Sequence, residues 1–221
     1  MVEIFAEPNT WLRLLNGLYI SLEISVVAIV VSSFGGLFMG VLMSLKNPLT
    51  YAFCRFCLEF VRVMPLIVWL FVMYFGLSRW FGLNLSAVSA SIVVFSIWGV
   101  FEMMDLVRGA LASIPKHQFE TAASLGLKWW QVYLYVIIPQ AARRLTPASI
   151  NLLTRMIKST TFAFLIGAVE LVKVGQQIIE LHHKETLAPF AVYGLIFFVY
   201  FILCYPLSVI SKKLELKWGV K

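Results

Sequence analysis

The chain has 221 residues, 61% of them hydrophobic and only 13% charged, with a formal net charge of +7. Soluble domains carry about 25% charged residues, so a water-soluble fold of this size would have to place apolar surface on its outside. Lipid is the solvent that removes that conflict, and the composition points to an all-α, polytopic membrane protein. The basic balance does not indicate nucleic acid, because Lys and Arg fall between apolar runs and no soluble domain is present to display them as a patch.

Residues 1–16 are partly acidic, and the apolar stretch after them is too long for the core of a cleaved signal peptide, so it is expected to stay as a span. A hydrocarbon core about 30 Å thick needs roughly 20 apolar residues in helical form. On that measure one transmembrane domain, residues 1–221, carries five spans at about 17–45, 58–81, 86–107, 145–169 and 187–210. Glu23 is the only charge in the first. Gly36 and Gly40 form a GxxxG pair there beside Gly35, a spacing that lets helices approach closely, either within the chain or against a second one.

Cys54 and Cys57 form a CxxC pair ahead of the second span. With Cys204 they make no disulfide framework, and no second pair or histidine accompanies them, so apolar filling is the expected role. The second span carries Glu59 and Arg62 near its start and Pro65 soon after. The third is apolar until Glu102 and Asp105, Arg155 and Lys158 interrupt the fourth, and the fifth has no charge.

Charge also sets orientation. Lys46 and Arg55, then Arg108, Lys116, Lys128, Arg143 and Arg144, then Lys212, Lys213, Lys217 and Lys221 all fall on one side of the five spans. The other side has Arg13, Arg79, Lys173 and Lys184, offset by Glu3, Glu7, Glu170, Glu180 and Glu185. The positive-inside rule makes the first side cytoplasmic, with the N-terminus outside and the C-terminus inside. An odd number of spans requires the same arrangement.

Residues 108–144 are too polar to be a span. Pro115 can open a helix, Lys116 to Leu125 places Phe119, Ala122, Ala123 and Leu125 on an apolar side, and Gly126 ends it. A second amphipathic helix, rich in aromatics from Trp129 to Tyr135, runs up to Pro139. The pair makes a compact cytoplasmic knob, with Trp129, Trp130 and Tyr133 suited to a headgroup belt.

Glu120-Thr121-Ala122-Ala123, then Gly126, then Ile138-Pro139 resembles the EAA loop of ABC importer permeases. The frame Ile114 to Gln118, Ala123 to Gly126 and Pro139-Gln140-Ala141 is similar to the polar amino-acid uptake family, the histidine, glutamine and glutamate type. Arg108-Gly109, the Glu59, Arg62 and Pro65 pattern, Asn151 and Lys158 to Thr161 fit the same family, so the resemblance covers roughly residues 18–210. It implies a type I importer permease fold in the bacterial inner membrane, with the knob as a coupling helix seated in a cytoplasmic ATPase subunit. Glu120, Ala122, Ala123, Gly126 and Pro139 are then the coupling residues. The implied partners are two copies of the ATPase, a second permease chain (the same chain or a paralogue) and a periplasmic or lipid-anchored amino-acid-binding protein. No GxxxxGK[ST] occurs in the chain, so ATP and Mg are expected on the ATPase, and this chain is expected to hold no cofactor and to be no enzyme.

Polar groups at membrane depth are kept for pathways or for pairing. Glu102, Arg155, Lys158, Ser159, Thr160 and Thr161 are the candidates for a substrate path. Ion pairing is the first expectation for Glu102, with Arg155 or Lys158 as partner, and Asp105 is expected to pair near the cytoplasmic end with Arg108. Ser159 stands where the family's Lys-Asp-Thr-Ser box has an acid, which either disfavours a basic substrate or marks this as the partner chain without a binding pocket. The hydroxyls suit a small zwitterion, or back-bonding to their own helix. His182 and His183 are adjacent and point apart, so a solvated loop is expected ahead of a metal or a docking role. An ATP-independent secondary transporter or channel is the rival function, and the absence of an inverted repeat argues against it.

Overall fold

The computed structural model describes residue 5, residues 7–45 and residues 47–219. Glu3, Lys46 and Lys221, three of the charges used for orientation, lie outside the described residues. The described chain is helical, in the order α1 (Pro8–Ser44), α2 (Pro48–Val63), α3 (Leu66–Phe81), α4 (Ala87–Ala112), α5 (Lys116–Ser124), α6 (Trp129–Ile166), α7 (Leu171–Leu181) and α8 (Ala188–Trp218). No strand occurs among the described residues.

By length and apolarity α1, α4 and α8 are each able to cross a membrane alone. The pairs α2 with α3 and α6 with α7 also qualify, each as one broken span, so the chain has up to five. Several helix ends differ from the expected spans; α1 begins at Pro8 rather than near residue 17, and α6 at Trp129 rather than near 145. The second span is not continuous from residue 58, because the helix stops at Met64 and Pro65, where the backbone is extended (ψ 137°). A proline restricts the residue before it to extended geometry, and that is sufficient cause. Helix α4 continues past residue 107 to Ala112, and α8 runs past residue 210 to Trp218. The segment outside the long helices therefore shrinks from 108–144 to little more than α5 and its flanks.

The chain folds as two compact units. Unit 1 comprises residues 1–29, 64–96 and 155–206, and unit 2 comprises residues 30–63, 97–154 and 207–221. Unit 2 carries twelve of the eighteen Lys and Arg residues and five of the eleven acids, so the whole formal charge of +7 belongs to it and unit 1 is neutral.

Unit 1 has a core of Leu14, Leu171, Val174, Ile178, Ala188, Val192 and Ile196, drawn from α1, α7 and α8. In unit 2 the glycines of α1 set the packing. A Cβ on Gly36 would strike the Met103 side chain and lie 3.0 Å from the Val100 carbonyl, and one on Gly40 would strike Val107 and lie 2.8 Å from the Met104 carbonyl. The GxxxG pair thus brings α1 and α4 together inside the chain, where small residues allow backbone approach in lipid. Beside this seam, Met43, Cys54, Leu58 and Met104 form a buried cluster, so Cys54 is core filling as its apolar setting indicates.

Candidate functional site

The knob of unit 2 is built from both sides of Gly126. Helix α5 begins after Pro115, whose backbone is extended (φ −61°, ψ 141°), and ends in a Schellman motif. Gly126 N–H donates to the Ala123 carbonyl at 2.9 Å, and Leu127 N–H donates to the Ala122 carbonyl at 3.3 Å. Gly126 has φ +77°, the left-handed conformation this cap requires and one that costs a residue with a Cβ about 1–2 kcal/mol. On the far side the Gln131 side chain accepts from Lys128 N–H at 2.8 Å, which starts α6.

The two helices share a small core of Ile114, Ala122, Val132, Ile137 and Ala141, flanked by Leu111, Phe119, Leu127 and Val136. Phe119 and Tyr133 pack edge to face at 5.9 Å, and Gln140 donates to Gln118 at 3.1 Å. Two expectations change here. Ala123 and Leu125, assigned to the apolar side, are exposed, and only Phe119 and Ala122 turn inward. Nor does the second helix end at Pro139. It passes from a widened π turn, Val132–Ile137, straight into Ile138–Ser159. Proline cannot donate to the turn before it, and a π turn is a common way for a helix to absorb such a misfit.

Glu120 is exposed, and among the described residues no group bonds its carboxylate. Ala123, Leu125 at 76% exposure and Trp129 at 77% share the open surface of the knob. The buried face holds the helix pair together, and the open face is available to a partner.

The second charged feature of unit 2 ties α2 to α4. Arg62 Nε donates to Glu102 at 2.7 Å, Arg62 Nη2 donates to the second oxygen of Asp105 at 3.0 Å, and Arg108 grips the first from Nε and Nη2 at 3.0 and 2.7 Å. Asp105 pairs with Arg108 as expected. Glu102 is 8% exposed, and within unit 2 it pairs with Arg62, a partner the sequence reading did not name. Charges at this depth are retained where they are paired in this way.

Arg155 to Thr161 belong to unit 1, whereas Glu102 belongs to unit 2. Arg155 and Lys158 are exposed, Ser159 is half-buried and Thr160 is 1% exposed. Thr160 Oγ1 donates to the Ile157 carbonyl at 2.8 Å and Thr161 Oγ1 to the Lys158 carbonyl at 2.9 Å, so both hydroxyls back-bond to their own helix. That helix tightens to 3-10 geometry over Thr160–Ile166. His182 and His183 lie in the turn after α7, and no group of His, Cys, Asp and Glu suited to a metal occurs among the described residues.

One charge was misplaced by the sequence reading. Glu170, counted as an outer loop charge, is 0% exposed and caps α7. Its carboxylate accepts from Lys173 N–H at 2.8 Å and Val172 N–H at 3.0 Å, with the Ser21 hydroxyl at 3.4 Å, while Leu171 N–H donates to Ser21 Oγ at 3.2 Å. The available signal was an acidic residue immediately before the apolar periodicity of α7 begins at Leu171, which is where an N-cap falls.

The model of the family described as "Binding-protein-dependent transport system inner membrane component" matches residues 32–212. The chain belongs to this family. It is similar to "Probable amino-acid ABC transporter permease protein YckA" of Bacillus subtilis (strain 168), 31% identical and covering 86% of this chain and 83% of that one. It is also similar to "Probable glutamine ABC transporter permease protein GlnP" of the same organism, 29% identical with 91% and 92% covered. Among solved structures, a chain of "Crystal structure of an amino acid ABC transporter with histidines" superposes with a TM-score of 0.81 at 24% identity, covering 91% of this chain and 94% of that one. A chain of the MetNI methionine ABC transporter in inward-facing conformations superposes with a TM-score of 0.74 at 19% identity, covering 94% and 99%. Both have the fold found here. The chain is therefore a transport subunit of the type I importer permease fold.

Proposed function

We propose that this chain is the permease subunit of an ATP-driven importer for polar amino acids, coupled through α5 to a separate ATPase. One observation carries the reading: Glu120 and Ala123 stand on the open face of a short helix whose other face is locked into its own core. Packed elements move as bodies, so a rigid helix exposing an unbonded carboxylate is suited to act as a lever in a partner's groove. Glu120 would meet the ATPase, Ala122 and Gly126 would hold the knob's shape, and the π turn before Pro139 would join the knob to the long part of α6. ATP and Mg would be bound by two copies of that ATPase.

A second permease chain, identical or paralogous, and a periplasmic or lipid-anchored binding protein complete the proposed assembly. The concentration of all net charge in unit 2 supports a cytoplasmic C-terminus and an external N-terminus in a bacterial inner membrane. The relatives named for glutamine and for amino acids support a polar amino acid as cargo. Arg155, Lys158 and Ser159 to Thr161 remain the proposed pathway residues of unit 1. Glu102 is better suited to bracing α2 on α4.

The test is uptake into ATP-loaded proteoliposomes of the assembled transporter against a panel of labelled amino acids. ATP-dependent uptake of one chemical group is expected, and uptake that persists without ATP or without the ATPase would overturn the reading.

A further inference from the structure

Unit 2 holds a half-open cavity of about 470 Å³ whose lining includes Asp105, Arg108, Ser113, Arg144, Ala148 and Trp218. Its charges are unbalanced. Among the described residues Asp105 is the only acid in the lining, and Arg108 and Arg62 already engage both of its oxygens. Arg108 uses two of its five N–H donors on that carboxylate, and Arg144 uses one on the Ser113 carbonyl at 2.5 Å. The remaining donors of two guanidinium groups therefore face a space where no further acid occurs among the described residues, and a guanidinium fork matches the oxygens of a phosphate.

The cavity lies where α4 ends at Ala112 and α8 ends at Trp218. Trp218 follows Lys212, Lys213 and Lys217, which directly succeed the apolar run of α8, and basic pockets at the positively charged side of a membrane protein take anionic lipid heads. A volume of about 470 Å³ accommodates a phosphodiester with its glycerol and leaves the acyl chains outside.

We propose that this cavity binds the phosphate headgroup of an anionic phospholipid, held by Arg144 and Arg108 beside Trp218. The lipid tethers the end of α8 to the junction of α4 and the knob. The assignment is independent of which solute the chain transports.

The experiment is native mass spectrometry of the full-length chain in neutral detergent, titrated in parallel with short-chain phosphatidylglycerol, phosphatidylcholine and inorganic phosphate. One phosphatidylglycerol per chain should be retained with roughly tenfold preference over phosphatidylcholine. Arg144→Gln should bring the two lipids within about twofold of each other, while Lys212→Gln, which removes a charge of unit 2 away from the cavity, should leave the preference intact. Because Arg144 also holds the Ser113 carbonyl, Ala148→Phe provides a second arm: it fills the cavity without removing charge and should abolish the preference. Equal retention of both lipids, or an unchanged preference in Arg144→Gln or Ala148→Phe, would overturn the proposal. Inorganic phosphate bound as tightly as phosphatidylglycerol would replace the lipid with a free anion.

Discussion

The turn around Glu170 in unit 1 and the knob around Glu120 in unit 2 are both short polar breaks between helices, yet they use their carboxylates in opposite ways. Glu170 is fully buried and accepts from two backbone N–H groups and from Ser21, so its charge is consumed in starting α7. Glu120 lies mid-helix on an exposed face, where the cap of α5 is made by Gly126 and backbone groups alone. A carboxylate the fold does not use is the one available to another protein. The Arg62, Glu102, Asp105 and Arg108 cluster falls on the Glu170 side of this contrast, since each member there has its partner within the unit.

The contrast breaks if function and stability respond together. Glu120→Arg should reduce ATP-dependent uptake by at least about tenfold, the order expected when a charge contact at an interface is reversed, with no loss of thermal stability in detergent. Glu102→Gln should do the reverse. Removing one partner of a mostly buried pair costs several kcal/mol, but Arg62 is 34% exposed and therefore screened, so about 2 kcal/mol is expected in a denaturation series. Glu170→Ala should cost about 1–2 kcal/mol, the range for a lost N-cap, with hydrogen exchange rising first at Val172 and Lys173. Gly126→Ala is the smallest, about 1 kcal/mol from its φ of +77°, and local to the knob. It sharpens the comparison, because a lever loosened at its turn should lose coupling even though Glu120 is intact.

Much of this was legible in the residues. Apolar run lengths marked the three helices able to cross a membrane alone, Gly126 and Pro115 marked both ends of α5, and the spacing of Gly36 and Gly40 indicated close approach before its partner α4 was known. What the sequence could not carry was long-range choice. Glu102 was expected to pair with Arg155 or Lys158, and its bond from Arg62, 40 residues earlier, becomes visible only through the packing of α2 on α4. Glu170 looked like a loop charge because the Ser21 that meets it is 149 residues away. Ala122 and Ala123 are chemically identical neighbours, and their opposite exposure is set by the twist of one short helix against Val132 and Ile137. The run from α5 into α6 through Pro139 was hidden because a proline conventionally ends a helix, and a π turn is not written in composition.

The most direct test of the account is site-specific photo-cross-linking in the assembled transporter, with the reactive residue placed at Ala123 on the knob or at His183 in the turn after α7. The account predicts an adduct with the ATPase subunit from position 123 and none from position 183. An ATPase adduct from 183, or none from 123 in a transporter that still co-purifies with its ATPase, would contradict the assignment of the knob as the coupling element.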